Sequence, residues 1–190
     1  MGKRFIKWGF IAILFILCAC NKNEQYKERI LKMKSKPINV TKEKMKLVYC
    51  NIKDSTNLYG GDKTDSLLWI VYADSFVCSS CKLSELQYWN EFIHKARKKC
   101  NSIDFCFIFS PREEDRDIFM FTAKSLKLAS LIYLDTLRTF PQNNPQIPKD
   151  QRFHTFLLDK NKNVILVGDP VKNEKINNIF WKILDENRHK

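Results

Sequence analysis

The chain has 190 residues, with 33 Lys plus Arg against 21 Asp plus Glu, a formal net charge of +12; that length suits one domain with appendages. Apolar residues make up 44% and aromatics 13%, enough for a packed core and against wholesale disorder, while only 5 glycines and 6 prolines exclude collagen-like or low-complexity designs. Seven cysteines are too few for a disulfide scaffold of this size and too many to ignore.

Lys3, Arg4 and Lys7 precede an unbroken apolar run, Phe10 to Leu17, and then Cys18, Ala19 and Cys20. A positive start, a short apolar stretch and small residues before a cut make a secretory signal peptide. The run falls short of the about 20 apolar residues that a spanning helix needs. The tetrad Leu17-Cys18-Ala19-Cys20 resembles the lipobox of bacterial lipoproteins. The resemblance implies cleavage before Cys20 and a diacylglyceryl group on its sulfur, so residues 1–19 are read as the signal peptide. Cys18 is a poor candidate because bulky Leu17 precedes it. The expected location is the bacterial cell envelope, held on a membrane by acyl chains and facing the periplasm or the exterior. Residues 20–46 carry nine Lys/Arg against three Glu, whereas 47–190 are nearly balanced at +3. The basic bias therefore belongs to a tether, read as residues 20–44, either lying on anionic head groups or acting as a solvated spacer. Export, and the lack of a basic stripe interleaved with aromatics, argue against nucleic-acid binding.

Residues 24–36 predict a short helix ended by Pro37, and Met45–Cys50 a strand. Residues 57–65, with Gly60-Gly61, read as a loop. Leu67–Ala73 is a continuous apolar run, as in a strand covered on both faces. After Cys81 the period changes: Leu83, Leu86, Trp89, Ile93, Ala96 and Cys100 recur at steps of three and four, an amphipathic helix closed by Arg97-Lys98-Lys99. Ile103–Phe109 is the next buried strand. Ser110-Pro111-Arg112-Glu113 fits a capping box, with a helix to about Ala129. Leu131–Leu134 is a short strand and 139–152 a proline-bearing loop. Phe153–Leu158 and Val164–Val167 flank Asp159-Lys160-Asn161-Lys162-Asn163 as a hairpin. Asp169-Pro170 starts a last helix whose Ile176, Ile179, Phe180, Ile183 and Leu184 share a face. A βαβ unit followed by a hairpin and a covering helix gives an α/β fold for residues 45–190, with a mixed central sheet and helices on both faces.

Cys78-Ser79-Ser80-Cys81 lies between the first buried strand and the amphipathic helix. A thiolate at a helix N-terminus is stabilised by unpaired backbone N–H groups and the helix dipole. At C-x-x-C spacing a reversible disulfide can close, one sulfur attacking a substrate disulfide and the other resolving the mixed disulfide. Near a βαβ pattern this is a thioredoxin-like redox motif. With LLWIVYADSFVCSSCKLSEL, IDFCFIFS and TFLLDKNKNVILVGDP in hand, the stretch from Met45 to Leu184 resembles the bacterial envelope redoxins, thioredoxin-fold proteins of the TlpA-like group. The resemblance implies a thioredoxin-like fold and a thiol–disulfide oxidoreductase, with Cys78 as nucleophile and Cys81 as resolving cysteine. Its partners would be protein thiols or disulfides and an envelope electron donor, and no cofactor is expected. Gly168 matches the glycine after the family's hairpin. Val77 and Ser79-Ser80 stand where the family commonly has Trp and Pro. Phe153 falls at the family's cis-proline place, with Pro148 five residues earlier. Asn161 and Asn163 stand in for its turn glycine.

Other readings remain beside this one. The Cys78/Cys81 pair could form an inert disulfide or sit unused on a structural or interaction lipoprotein. With His154 it could make a copper or zinc site, although a histidine starting a strand is more often a polar end residue. Cys106 reads as a small buried hydrophobe and Cys100 as core-like. Cys50 is either a free thiol or paired. Asp74 and Glu85 read as surface charges, and Glu113-Glu114-Asp115 as first-turn acids. Ser/His/Asp, phosphate-loop, zinc-protease and P-x-x-x-T-x-x-C peroxiredoxin patterns are absent.

Overall fold

The computed structural model describes residues 23–50, 66–74, 83, 85–126 and 128–187. Among these residues six strands form one sheet: β1 (Lys46–Cys50), β2 (Leu67–Ala73), β3 (Ile103–Phe109), β4 (Leu131–Leu134), β5 (Thr155–Leu158) and β6 (Val164–Val167). Their spatial order is β1-β4-β3-β2-β5-β6. β2, β3 and β4 run parallel, while β1, β5 and β6 join antiparallel.

β2 is central because every residue in it is buried, which is what a continuous apolar run of strand length demands. Alternation along each strand then sorts the side chains into two cores. Trp69 and Val71 join Phe105, Phe107 and Phe109 on one face; Ile70 and Tyr72 join Cys106 and Ile108 on the other.

The first face is covered by α2 (Trp89–Lys99), α3 (Arg116–Ser125) and α5 (Glu174–Asn187). The second is covered by α1, helical over residues 23–33, by the 135–153 segment and by its short helix α4 (Thr139–Asn143). Parallel β2–β3–β4, an antiparallel β5–β6 hairpin and helices on both faces make this a mixed α/β, thioredoxin-like fold.

Several elements differ from the sequence expectation. Residues expected to form a free tether are docked: Met33 and Ile38 are buried, and Tyr26 and Ile30 pack against the same core. Arg29 bonds Asp150 at 3.0 Å. These apolar residues are worth more against the sheet than in water. The capping box at Ser110 does not form, because Ser110 is buried and its N–H extends the sheet by donating to Ala73 O at 2.8 Å. The helix there starts later and ends at Ser125. β5 begins at Thr155; Phe153 instead closes a 3-10 turn capped by Asp150. The last helix is capped by Asn173, whose side-chain oxygen accepts from Ile176 N at 3.1 Å, while Asp169 closes a tight turn ahead of it.

Candidate functional site

The three parallel strands end in register, with Ala73 beside Phe109 and Phe109 beside Leu134. The next residue on each is polar and buried: Asp74, Ser110 and Asp135. Two backbone bonds hold this row together, Ser110 N to Ala73 O and Asp135 N to Phe109 O, both 2.8 Å. Open α/β sheets bind ligands outside the carboxyl ends of their strands, so this is the end of the molecule where chemistry is expected.

Asp135 has a structural task. Its carboxylate accepts from Thr139 N (2.9 Å), Thr139 Oγ1 (2.9 Å) and Phe140 N (2.8 Å), capping α4. Proline at the third position of that helix costs nothing, since its missing N–H would have had no partner in the first turn. Asp74, read from sequence as a surface charge, is instead only 5% exposed. Glu85 is half-buried at the other flank of the C-x-x-C segment and bonds Lys172 Nζ at 2.7 Å.

His154 sits opposite, on the loop entering β5, with its carbonyl accepting from Tyr72 N at 2.8 Å. Its side chain is buried, its ring lies 5.0 Å from the Tyr72 ring, and Nε2 is 2.9 Å from Pro148 O. Burial pushes the Tyr72 phenol up to about 12, with Asp74 and Asp135 adding to the rise and the Ser110 hydroxyl and Arg138 opposing it. Tyr72, Asp74 and His154 share the wall of a cavity of about 530 Å³, together with apolar Phe140, Ile147 and Pro148. Lys32, Arg138 and Lys149 also line it. Sequence reading missed this cluster; the strand-end position of Asp74, directly after a seven-residue buried run, was the available signal.

Cys78, Cys81 and Cys20 lie outside the described residues, so the expected redox pair and the expected lipidation of Cys20 rest on sequence alone. Among the described residues no group of three or more His, Cys, Asp or Glu is placed to hold a metal. One ring nitrogen of His154, the proposed third ligand, is already engaged by Pro148. Cys100 and Cys106 are free and buried, as their core-like positions imply, and burial pushes the Cys106 thiol up to about 11. The place assigned to a cis-proline holds Phe153, a fully buried core residue whose ring packs 4.9 Å from Tyr26 and under the Arg29 guanidinium. Among the described residues no peptide bond is cis.

No family model and no curated protein matches the chain. Among solved structures it is similar to a candidate thiol:disulfide interchange protein DsbE of Chlorobium tepidum, at 16% identity and a TM-score of 0.46, over 66% of this chain and 83% of that one. It is also similar to the thioredoxin domain of a thiol-disulfide oxidoreductase of Bacteroides vulgatus, at 14% identity and a TM-score of 0.41, over 64% and 81%. A third similar structure is the mitochondrial 2-cys peroxiredoxin of Plasmodium falciparum, at 13% identity and a TM-score of 0.43, over 68% and 82%.

Proposed function

We propose that the chain is a membrane-tethered thiol–disulfide oxidoreductase of the bacterial cell envelope, acting through Cys78 and Cys81. The observation that carries this reading is the position of the motif in the chain. Positions 78–81 fall between Asp74, at the carboxyl end of the central strand, and Leu83, the first described helical residue ahead of α2.

In that setting the Cys78 thiolate attacks one sulfur of a substrate disulfide, forming a mixed disulfide and expelling one substrate thiolate. The Cys81 thiolate then attacks the Cys78 sulfur, closing the Cys78–Cys81 disulfide and releasing the second substrate thiolate. Two electrons pass to the substrate, and an envelope dithiol donor returns them. Asp74, buried and four residues before Cys78, supplies a carboxylate that can take up a thiol proton. Protein thiols and disulfides are the proposed clients, and a lipid on Cys20 is the proposed tether.

The test is turnover of a protein disulfide by the wild-type chain, Cys78→Ser and Cys81→Ser. Turnover is expected in the wild type alone, with Cys81→Ser trapping a mixed disulfide; equal rates in all three would remove the claim. For the tether, Cys20→Ala should lower the mass by the acyl groups and move the protein from the detergent phase to the aqueous phase. An unchanged mass would remove the lipid.

A further inference from the structure

The cavity at the carboxyl ends of β2 and β4 has features that a disulfide exchanger does not require. Its volume, about 530 Å³, lies within the range of small-molecule sites, which combine an apolar lining with a few placed polar groups. Its inner wall is aromatic and aliphatic, from Tyr72, Phe140, Ile147 and Pro148. Lys32, Arg138 and Lys149 are exposed and line it from α1 and from either side of α4. None of the three forms an ion pair with another described residue. Among the described residues of the lining the one carboxylate, Asp74, is buried.

Arg138 carries a second sign. It holds a left-handed backbone, φ 54° and ψ 36°, which costs a side-chain-bearing residue about 1–2 kcal/mol. The surrounding bonds enforce that conformation: Asp135 grips Thr139 and Phe140 just beyond it, and Arg138 N itself reaches Asp135 O at 3.3 Å. Strain held in place this way clusters at ligand clamps.

We infer that this cavity is a binding site for a small organic anion, a carboxylate or similar acid group on an aromatic or alkyl body, with the anionic end toward Arg138 and Lys149 and the body on Phe140 and Ile147. The inference does not depend on the redox reading of Cys78 and Cys81. Free acids and acid groups on larger molecules share this chemistry, and a free acid is the simpler probe.

The experiment titrates 4-phenylbutyrate into the full chain while following the histidine ring NMR signals, with 4-phenylbutanol as the uncharged counterpart. His154 lines the cavity, whereas His94 is exposed on α2, which packs on the opposite face of the sheet, so His94 serves as an internal control. The expected result is a saturable shift of the His154 signals alone, at least fivefold weaker with the alcohol. Arg138→Asn tolerates the left-handed backbone while removing the charge, and should weaken phenylbutyrate roughly tenfold, the cost of losing one charge-assisted contact. Lys149→Ala should weaken it in the same direction, and Lys182→Ala on α5 should leave it unchanged. Equal binding of acid and alcohol, no response of His154, or equal effects of Arg138→Asn and Lys182→Ala would each overturn the assignment. Because Cys78→Ser should bind phenylbutyrate normally, failure of the redox reading and failure of this one are distinguishable.

Discussion

Lys162 shows what a single residue costs this fold. It lies in the β5–β6 turn with φ 65°, donating its N–H to Asp159 O at 3.0 Å. Asp159 Oδ1 in turn accepts from Asn163 N at 2.8 Å. The turn is therefore well bonded, yet its left-handed residue carries a Cβ. Relieving that strain is worth about 1–2 kcal/mol, and the added chain entropy of glycine takes back about 0.5–1. Lys162→Gly should therefore raise stability by about 0.5–1 kcal/mol, read as a higher urea midpoint with an unchanged slope; a lower midpoint would contradict the account. Gly168, at φ 125°, is the converse. A Cβ there would lie 3.0 Å from Ile176 Cγ1, so Gly168→Ala should lower the midpoint through both backbone and contact.

Among the elements, α1 changes the picture of the molecule most. Its inward residues Tyr26, Ile30 and Met33 follow steps of four and three, the spacing of one helix face, and the helix is pinned at its middle by Arg29 to Asp150. Asp150 also bonds Arg152 Nη2 at 2.6 Å and caps the 3-10 turn that positions Phe153. These bonds, that from Arg152 first, hold the Asp150 carboxyl down at about 2. A carboxyl depressed in the folded state stabilises the fold above its unfolded value near 4 and loses that contribution as pH falls through about 2. Asp150→Asn keeps the cap and removes the charge. It should cost about 1 kcal/mol at pH 6, after allowance for solvent screening of a partly exposed group, and only a small part of that at pH 2. A cost that persists unchanged at pH 2 in urea unfolding would show that the charge is not the cause.

The same elements show why some of the fold could be read from sequence and some could not. β2, β3 and α2 were legible because their order comes from local periodicity: all six residues of the stripe that leads into and along α2, from Leu83 to Cys100, are buried. The 139–153 segment was not, because its order comes from a single remote-looking carboxylate, Asp135, and from Phe140 and Phe153 reaching the core. The docking of α1 was written in Tyr26, Ile30 and Met33, but the surrounding lysines masked it. At the candidate site, the C-x-x-C spacing was legible without coordinates. The burial of Asp74 and its meeting with Tyr72 and His154 was not, since it depends on strands 80 residues apart in the chain being neighbours.

At the scale of the whole molecule, the sheet divides the interior into two cores, and each holds one free thiol. Cys100 closes the helical face with Trp89, Phe92 and Phe180; Cys106 lies on the opposite face with Tyr72, Phe140 and Phe153. The two covers are unlike. The first consists of three helices with a dense aromatic network, including Trp69 against Phe180 at 5.0 Å. The second consists of α1 and a largely irregular segment. Yet every side chain that separates the cores stands on shared strands, so losing one cover exposes the backs of residues that the other needs. Strong coupling predicts one cooperative transition. With iodoacetamide pulses across a urea series and peptide mapping, Cys100 and Cys106 should both be silent in the native state and become labelled at the same midpoint. Labelling is by thiolate, and Cys106 is pushed up to about 11 by its burial, so its native silence has both steric and electrostatic causes. Labelling of Cys106 at a lower urea concentration than Cys100 would mean that the α1 face opens on its own as a separate cooperative unit, and the two-core sheet would not unfold as one body.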